Sequence, residues 1–184
     1  THTANLSVPA DTTWNNMISD LEAIGNLQSS PDESGQQEII NAVNVYMDAR
    51  GQEILDRLDQ GDTSSAQADV MAFFDQYNQC TQAAAGKVDC GSDNAQWYLS
   101  FYSALSQIEG CEDYAQTLLA EGYGKYPEDE DLAALQGEVD KANIALGYED
   151  INNALSAGDF DTAYARAQEL YDTIGEEEYT SLVE

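Results

Sequence analysis

Apolar side chains recur at three- and four-residue intervals along most of the chain. Trp14, Met17, Ile18, Leu21 and Ile24 make one such run, and Ile39, Ile40, Val43, Tyr46, Met47, Ile54, Leu55 and Leu58 make a longer one. That spacing puts the apolar groups on one face of an α-helix. It predicts a third helix carrying Ala66, Val70, Phe73, Phe74 and Tyr77, a fourth with Trp97, Phe101, Tyr102, Leu105 and Ile108, and a fifth with Ala115, Leu118 and Leu119. Pro127 closes the fifth. A sixth starts near Asp129 with a stripe through Leu132, Leu135, Val139, Ala142 and Leu146; Gly147 then interrupts it before Ile151 and Leu155. The last helix, after Gly158, is expected to bury Phe160, Ala163, Ala167, Leu170 and Ile174. No alternating run is long enough for a strand. The pattern therefore predicts an all-α protein of about eight helices stacked as antiparallel hairpins.

The punctuation repeats as well. Gly61 is followed five residues later by Ala66, Gly110 by Ala115 and Gly158 by Ala163, at separations of 49 and 48 residues (110 − 61 and 158 − 110). Glycine suits a left-handed residue at a helix end, and a small alanine lets the next helix approach closely. Asp62, Asp93 and Asp159 are expected to cap the helices after their turns, and Asp11 or Thr12 the first helix. Ser30-Pro31-Asp32-Glu33 has the form of a capping box with proline at the first helical position, and Gly51 marks a bend within the second helix.

Two segments carry a family resemblance. Gly158-Asp159-Phe160-Asp161-Thr162-Ala163 is similar to the turn between helices A and B of tetratricopeptide repeats, and Ala115 followed by Gly124-Lys125-Tyr126-Pro127 resembles that family's B-helix alanine and terminal proline. The spacing of 48–49 residues departs from the family's 34, and its tryptophan-leucine-glycine run is missing. The resemblance implies a TPR-like α-solenoid that binds protein or peptide on a concave surface, without catalysis.

Composition narrows the partners. Against 35 acidic side chains stand 6 basic ones, a formal charge of −29 in 184 residues. Such a field repels phosphate, so nucleic acid and anionic membrane surfaces are excluded as partners. The 42% hydrophobic content argues for a folded chain in spite of that charge. No apolar run approaches the ~18 residues needed to cross a bilayer, so no membrane insertion is expected. Residues 1–10 lack a helical period and contain Pro9, so Thr1, His2, Thr3, Ala4, Asn5, Leu6, Ser7, Val8 and Pro9 are read as an extended assembly arm. Residues 11–184 are read as one helical-repeat domain. The start at Thr1, the sequon Asn5-Leu6-Ser7 and the three cysteines together predict a secreted glycoprotein, extracellular or periplasmic, whose signal has been removed.

Candidate chemistry is sparse. Cys80 closes the third helix and Cys90 precedes the fourth, at the same end of a hairpin, whereas Cys111 lies a helix length away, roughly 20 Å at 1.5 Å per residue. The expectation is a Cys80–Cys90 disulfide with Cys111 free; the alternative is three reduced thiols. Without CxxC spacing or a nearby histidine, zinc is not expected, and no cofactor is. The lone histidine, His2, sits in the arm and cannot serve a nucleophile in a cleft. Glu128-Asp129-Glu130-Asp131 lacks the spacing of an EF-hand loop and reads as a charged helix start. Among 11 tyrosines, Tyr98, Tyr102, Tyr123, Tyr126 and Tyr148 are candidates for an interaction surface, the others for inter-helix core. The leading reading is a non-enzymatic structural protein that binds copies of itself, as a filament or other homo-oligomer. The alternatives are a monomeric adaptor for a basic or extended peptide and a carboxylate-based hydrolase.

Overall fold

The computed structural model describes residues 11–91 and 94–174, with side chains from residue 14 onward, and all regular structure among them is helical. Seven helices follow in order: α1 (Asp11–Gly25), α2 (Glu33–Asp59), α3 (Ala66–Ala83), α4 (Ala95–Leu105), α5 (Glu112–Lys125), α6 (Glu130–Ser156) and α7 (Phe160–Ile174). They fall into two compact units, α1–α5 within residues 1–126 and α6–α7 within residues 127–184. The arm, with Asn5 and His2, lies outside the described residues, as do Asp93 and the side chains of Asp11 and Thr12.

The three glycine turns form as expected. Gly61, Gly110 and Gly158 have φ of 83°, 85° and 76°. A Cβ at any of them would meet nothing, so the left-handed backbone, and not crowding, asks for glycine. Ala66, Ala115 and Ala163 are all buried at the starts of α3, α5 and α7. Asp159 caps α7, accepting from the Thr162 amide at 3.1 Å and the Thr162 hydroxyl at 2.7 Å. Asp62 does not cap α3. A further turn, closed by the Ala66 amide on the Thr63 carbonyl, delays that helix, and Asp62 meets the Ser64 hydroxyl instead. The expected Ser30 box is likewise displaced: Asp32 is the N-cap of α2, its carboxylate accepting from the Gly35 amide at 2.9 Å. Asp129 caps α6 through the Leu132 amide at 3.0 Å.

Two glycines expected to bend or break helices do neither. α2 runs unbroken through Gly51, where a Cβ would lie 2.4 Å from Cη2 of Trp97 on α4. α6 runs unbroken through Gly147, where a Cβ would lie 3.1 Å from Cδ1 of Leu170 on α7. Both serve close helix approach, and the continuity of α6 gives seven helices among the described residues where about eight were expected. The face of α6 turned to α7 contains Gly147, with Ile144 and Ile151 half-buried on the same side. It lies about 130° round the helix from the predicted stripe, in which Leu132 is buried and Leu135 and Val139 are half-buried while Ala142 and Leu146 are exposed.

The first unit is built on aromatic rings. Phe73 stands at the centre, its ring 5.0 Å from that of Phe101, 5.2 Å from Trp97 and 5.5 Å from Tyr77. Trp97 stacks on Phe101, and Tyr98 stacks on Phe74 at 4.3 Å. Successive residues of α4 thus press on glycines of two flanking helices: Trp97 on Gly51 of α2 and Tyr98 on Gly122 of α5.

Candidate functional site

Among the described residues, an apolar surface is exposed in each unit. In the first, α1 and α2 enclose a groove of about 390 Å³ lined by Met17, Leu21, Ile24, Ile39, Ala42, Val43, Val45 and Tyr46, with Asn16 and Asp20 also on its wall. Val45 stands 69% exposed at its edge. The groove exists because α1 packs principally on α3, leaving its α2-facing side open. In the second unit, Phe160 is 70% and Tyr164 73% exposed. Burial of Phe160 was expected; the structure overturns it, because α7 packs on α6 through Ala163, Ala167 and Leu170, and the aromatic pair falls on the adjoining stripe. Four residues apart, the two rings stand one above the other, one turn of helix separated.

Between α6 and α7 lies a cleft of about 640 Å³ whose walls combine Ile144, Leu170 and Ile174 with Asp140, Lys141, Asp150, Arg166 and Glu169. On its α7 wall Arg166 forms an ion pair with Glu169, one turn further along the same helix, at 2.7 Å, and that hydrogen bond raises the arginine's pKa further.

The few cations are mostly committed internally. Lys87 donates its ammonium to the carbonyls of Gly25 at 2.8 Å, Ile24 and Leu27, neutralising the carbonyl end of α1. Lys125 donates to the Gly91 carbonyl at 2.9 Å, and its loss of water there lowers its pKa, an effect that Asp89 partly opposes. Arg57 reaches Asp69 across α2 and α3 at 2.7 Å, and Arg50 pairs with Glu53. Sequence pattern could not reveal the two lysine contacts, since each joins residues at least 34 apart.

All three cysteines are buried free thiols, so the expected Cys80–Cys90 bond is not formed. The structure does bring that pair together. The Cys90 amide donates to the Thr81 hydroxyl at 3.0 Å, placing Cys90 beside the end of α3, where its thiol meets the Val88 carbonyl at 4.0 Å. The neighbouring thiol pushes the Cys80 pKa up and holds that of Cys90 down. Pairing was legible from the hairpin; the sulfur separation depends on how the loop 84–91 packs. Cys111 sits at the N-cap of α5.

The tyrosine candidates divide. Tyr98 is buried in the ring stack, which removes it from any surface. Tyr126 turns its hydroxyl inward, accepting from the Asn94 amide and donating to the Gly91 carbonyl, with Asn94 Oδ1 also in contact. Tyr102 and Tyr148 are half-buried, and Tyr123, at 38% exposure, is the most open of the five. No protein-family model, curated protein or solved structure matches the chain. Among the described residues no group of three or more metal-ligating side chains is assembled, and no helix is long and apolar enough to cross a membrane.

Proposed function

We propose that this is a non-enzymatic, extracellular helical-repeat protein that assembles with copies of itself. The observation carrying the reading is that the described residues of one strongly acidic chain expose apolar side chains in both units, at the α1–α2 groove and at Phe160 and Tyr164. Contiguous exposed apolar groups mark interaction sites. A chain with different surfaces in different places associates head to tail, giving a ring where the rotation closes and a filament where it does not. A TPR-like solenoid is supported by the recurring glycine–alanine turn and by the packing of α1 on α3 and α2 on α4, the neighbour pattern of stacked hairpins. The arm 1–9 is proposed as an additional contact with a neighbouring copy, with Asn5 glycosylated in the secreted protein.

The test is native mass by light scattering across protein and salt concentration, for the full chain and a variant lacking residues 1–10. Assembly strengthened by salt is expected, because each copy carries −29 and screening lowers the mutual repulsion. A monomer under every condition refutes self-assembly; assembly unchanged by the deletion refutes the arm's part in it. One specific observation favours a second reading, an adaptor for a basic peptide: Arg50, Arg57, Lys87, Lys125 and Arg166 are all held by partners within the chain, leaving the surface strongly anionic. Its affinity would fall with salt, the opposite sign.

A further inference from the structure

The two units hold unequal shares of charge and core. Residues 127–184 carry 16 acidic side chains against 2 basic ones, a net −14, whereas residues 1–126, more than twice as long, carry 19 against 4, a net −15. Among the largest fully buried side chains of the described residues, Leu132 alone belongs to the second unit, and only Ala163 and Leu170 join it as buried apolar groups there. The first unit buries Met47, Ile54, Phe73, Phe101, Leu118 and Leu119.

The cations are placed differently as well. In the first unit Lys87 closes on the carbonyl end of α1, Arg57 joins α2 to α3 through Asp69, and Lys125 closes on Gly91. In the second, the one ion pair among the described residues, Arg166 to Glu169, lies within α7, and neither α6 nor α7 has a basic side chain in its last turn. Asp140 and Asp150 of α6 and Glu169 of α7 line a single cleft with Lys141 and Arg166, three negative charges against two positive. Closing the hairpin therefore gathers more like charge than it neutralises.

We propose that the second unit is a salt-dependent helical hairpin: at low ionic strength α6 and α7 open while the first unit stays folded, and high salt closes them. A unit of about 60 residues is marginal even with a full core, and net charge far from zero destabilises a compact state by self-repulsion. Salt sets the range of that repulsion. The screening length is about 30 Å at 0.01 M, so charges along most of the hairpin act on one another, and about 3 Å at 1 M, so only adjacent charges do. The opening belongs to a single molecule and holds whether or not copies associate.

Hydrogen exchange of the full chain, read peptide by peptide by mass spectrometry, tests this at fixed pH and at protein concentrations where light scattering gives the monomer mass. Between about 0.01 M and 1 M NaCl, amides of α6 and α7 are expected to gain at least about tenfold in protection and those of α3 and α4 less than about threefold. The ratio between the units removes any direct effect of salt on exchange chemistry. Glu138→Gln with Glu149→Gln, both exposed on α6, takes the second unit from −14 to −12 and is expected to move the closing midpoint to lower salt. Glu22→Gln with Glu38→Gln removes the same charge from exposed positions of the first unit and should move that midpoint less. The proposal is overturned if α6 and α7 are equally protected across the salt range, if both units respond alike, or if the two double variants shift the midpoint equally. Sucrose favours compact states by exclusion without screening charge; a selective gain in α6 and α7 with sucrose in place of salt would also overturn it. Self-assembly is read separately, as mass at higher protein concentration, so either can fail while the other stands.

Discussion

Gly51→Ala is expected to destabilise the first unit, although alanine is the better helix former. Within α2 the substitution gains about 0.5–1 kcal/mol from helix propensity. The added methyl would meet Trp97 at 2.4, 2.5 and 2.8 Å from Cη2, Cζ3 and Cζ2, where ordinary contact begins at 3.4 Å. The indole must retreat by about 1 Å, and it is held on other sides by Phe73 and Phe101, with its Nε1 donating to Asp48 at 3.3 Å. Overpacking of this kind costs about 1–3 kcal/mol. The balance is a net loss of about 1 kcal/mol, read as a lower urea midpoint at unchanged slope. Trp97→Phe removes the benzo edge, so in that background Gly51→Ala should be neutral or stabilising, with a coupling of about 1 kcal/mol or more across the cycle. Gly137→Ala is the control. It lies inside α6, a Cβ there meets nothing, and it should stabilise by about 0.5–1 kcal/mol. If Gly51→Ala stabilises the wild type, or costs the same with and without the indole, the close-approach account of Gly51 is refuted.

Three further outcomes follow from local chemistry. Lys87→Met leaves the carbonyl end of α1 without its ammonium and should cost about 1–2 kcal/mol, seen as faster hydrogen exchange of α1 amides before those of α4; uniform exchange would count against it. The Asp159 carboxyl, held below its ordinary 3.8 first by the Thr162 hydroxyl and then by the Thr162 amide, stabilises the start of α7 above the unfolded-state value. That contribution is lost as pH falls through the lowered folded value. Thr162→Val should move the carboxyl midpoint measured by NMR up towards 3.8, and an unmoved midpoint would contradict the cap geometry. Alkylation of the unreduced chain in denaturant should modify three cysteines, whereas the native protein reacts slowly because all three are buried; a count of one would mean that Cys80 and Cys90 are bonded.

Much of the helical layout was legible because its signals are short-range. Gly61, Gly110 and Gly158 declare left-handed residues through the absence of a side chain, and the alanines after them follow from the need for close approach. Asp129 and Asp159 reach amides three residues on, so a cap can be read without knowing any neighbour. Competing local partners explain the errors: Asp32 displaced Ser30 at α2, and an extra turn at Thr63 separated Asp62 from α3. Of the candidate surfaces, the apolar character of Phe160 and Val45 was visible, but not that water still reaches them.

The sequence by itself determined that the chain is helical, where its sharpest turns fall and that its surface is anionic, because periodicity, glycine conformation and charge act within a few residues or need no geometry at all. Tertiary structure alone decided which face of α6 meets α7, that Gly51 and Gly147 admit a neighbour instead of breaking a helix, that Tyr98 is core, and that Lys87 and Lys125 close on backbone carbonyls. Each of those depends on atoms brought together from positions distant in the chain, and a helical stripe specifies burial without specifying the partner.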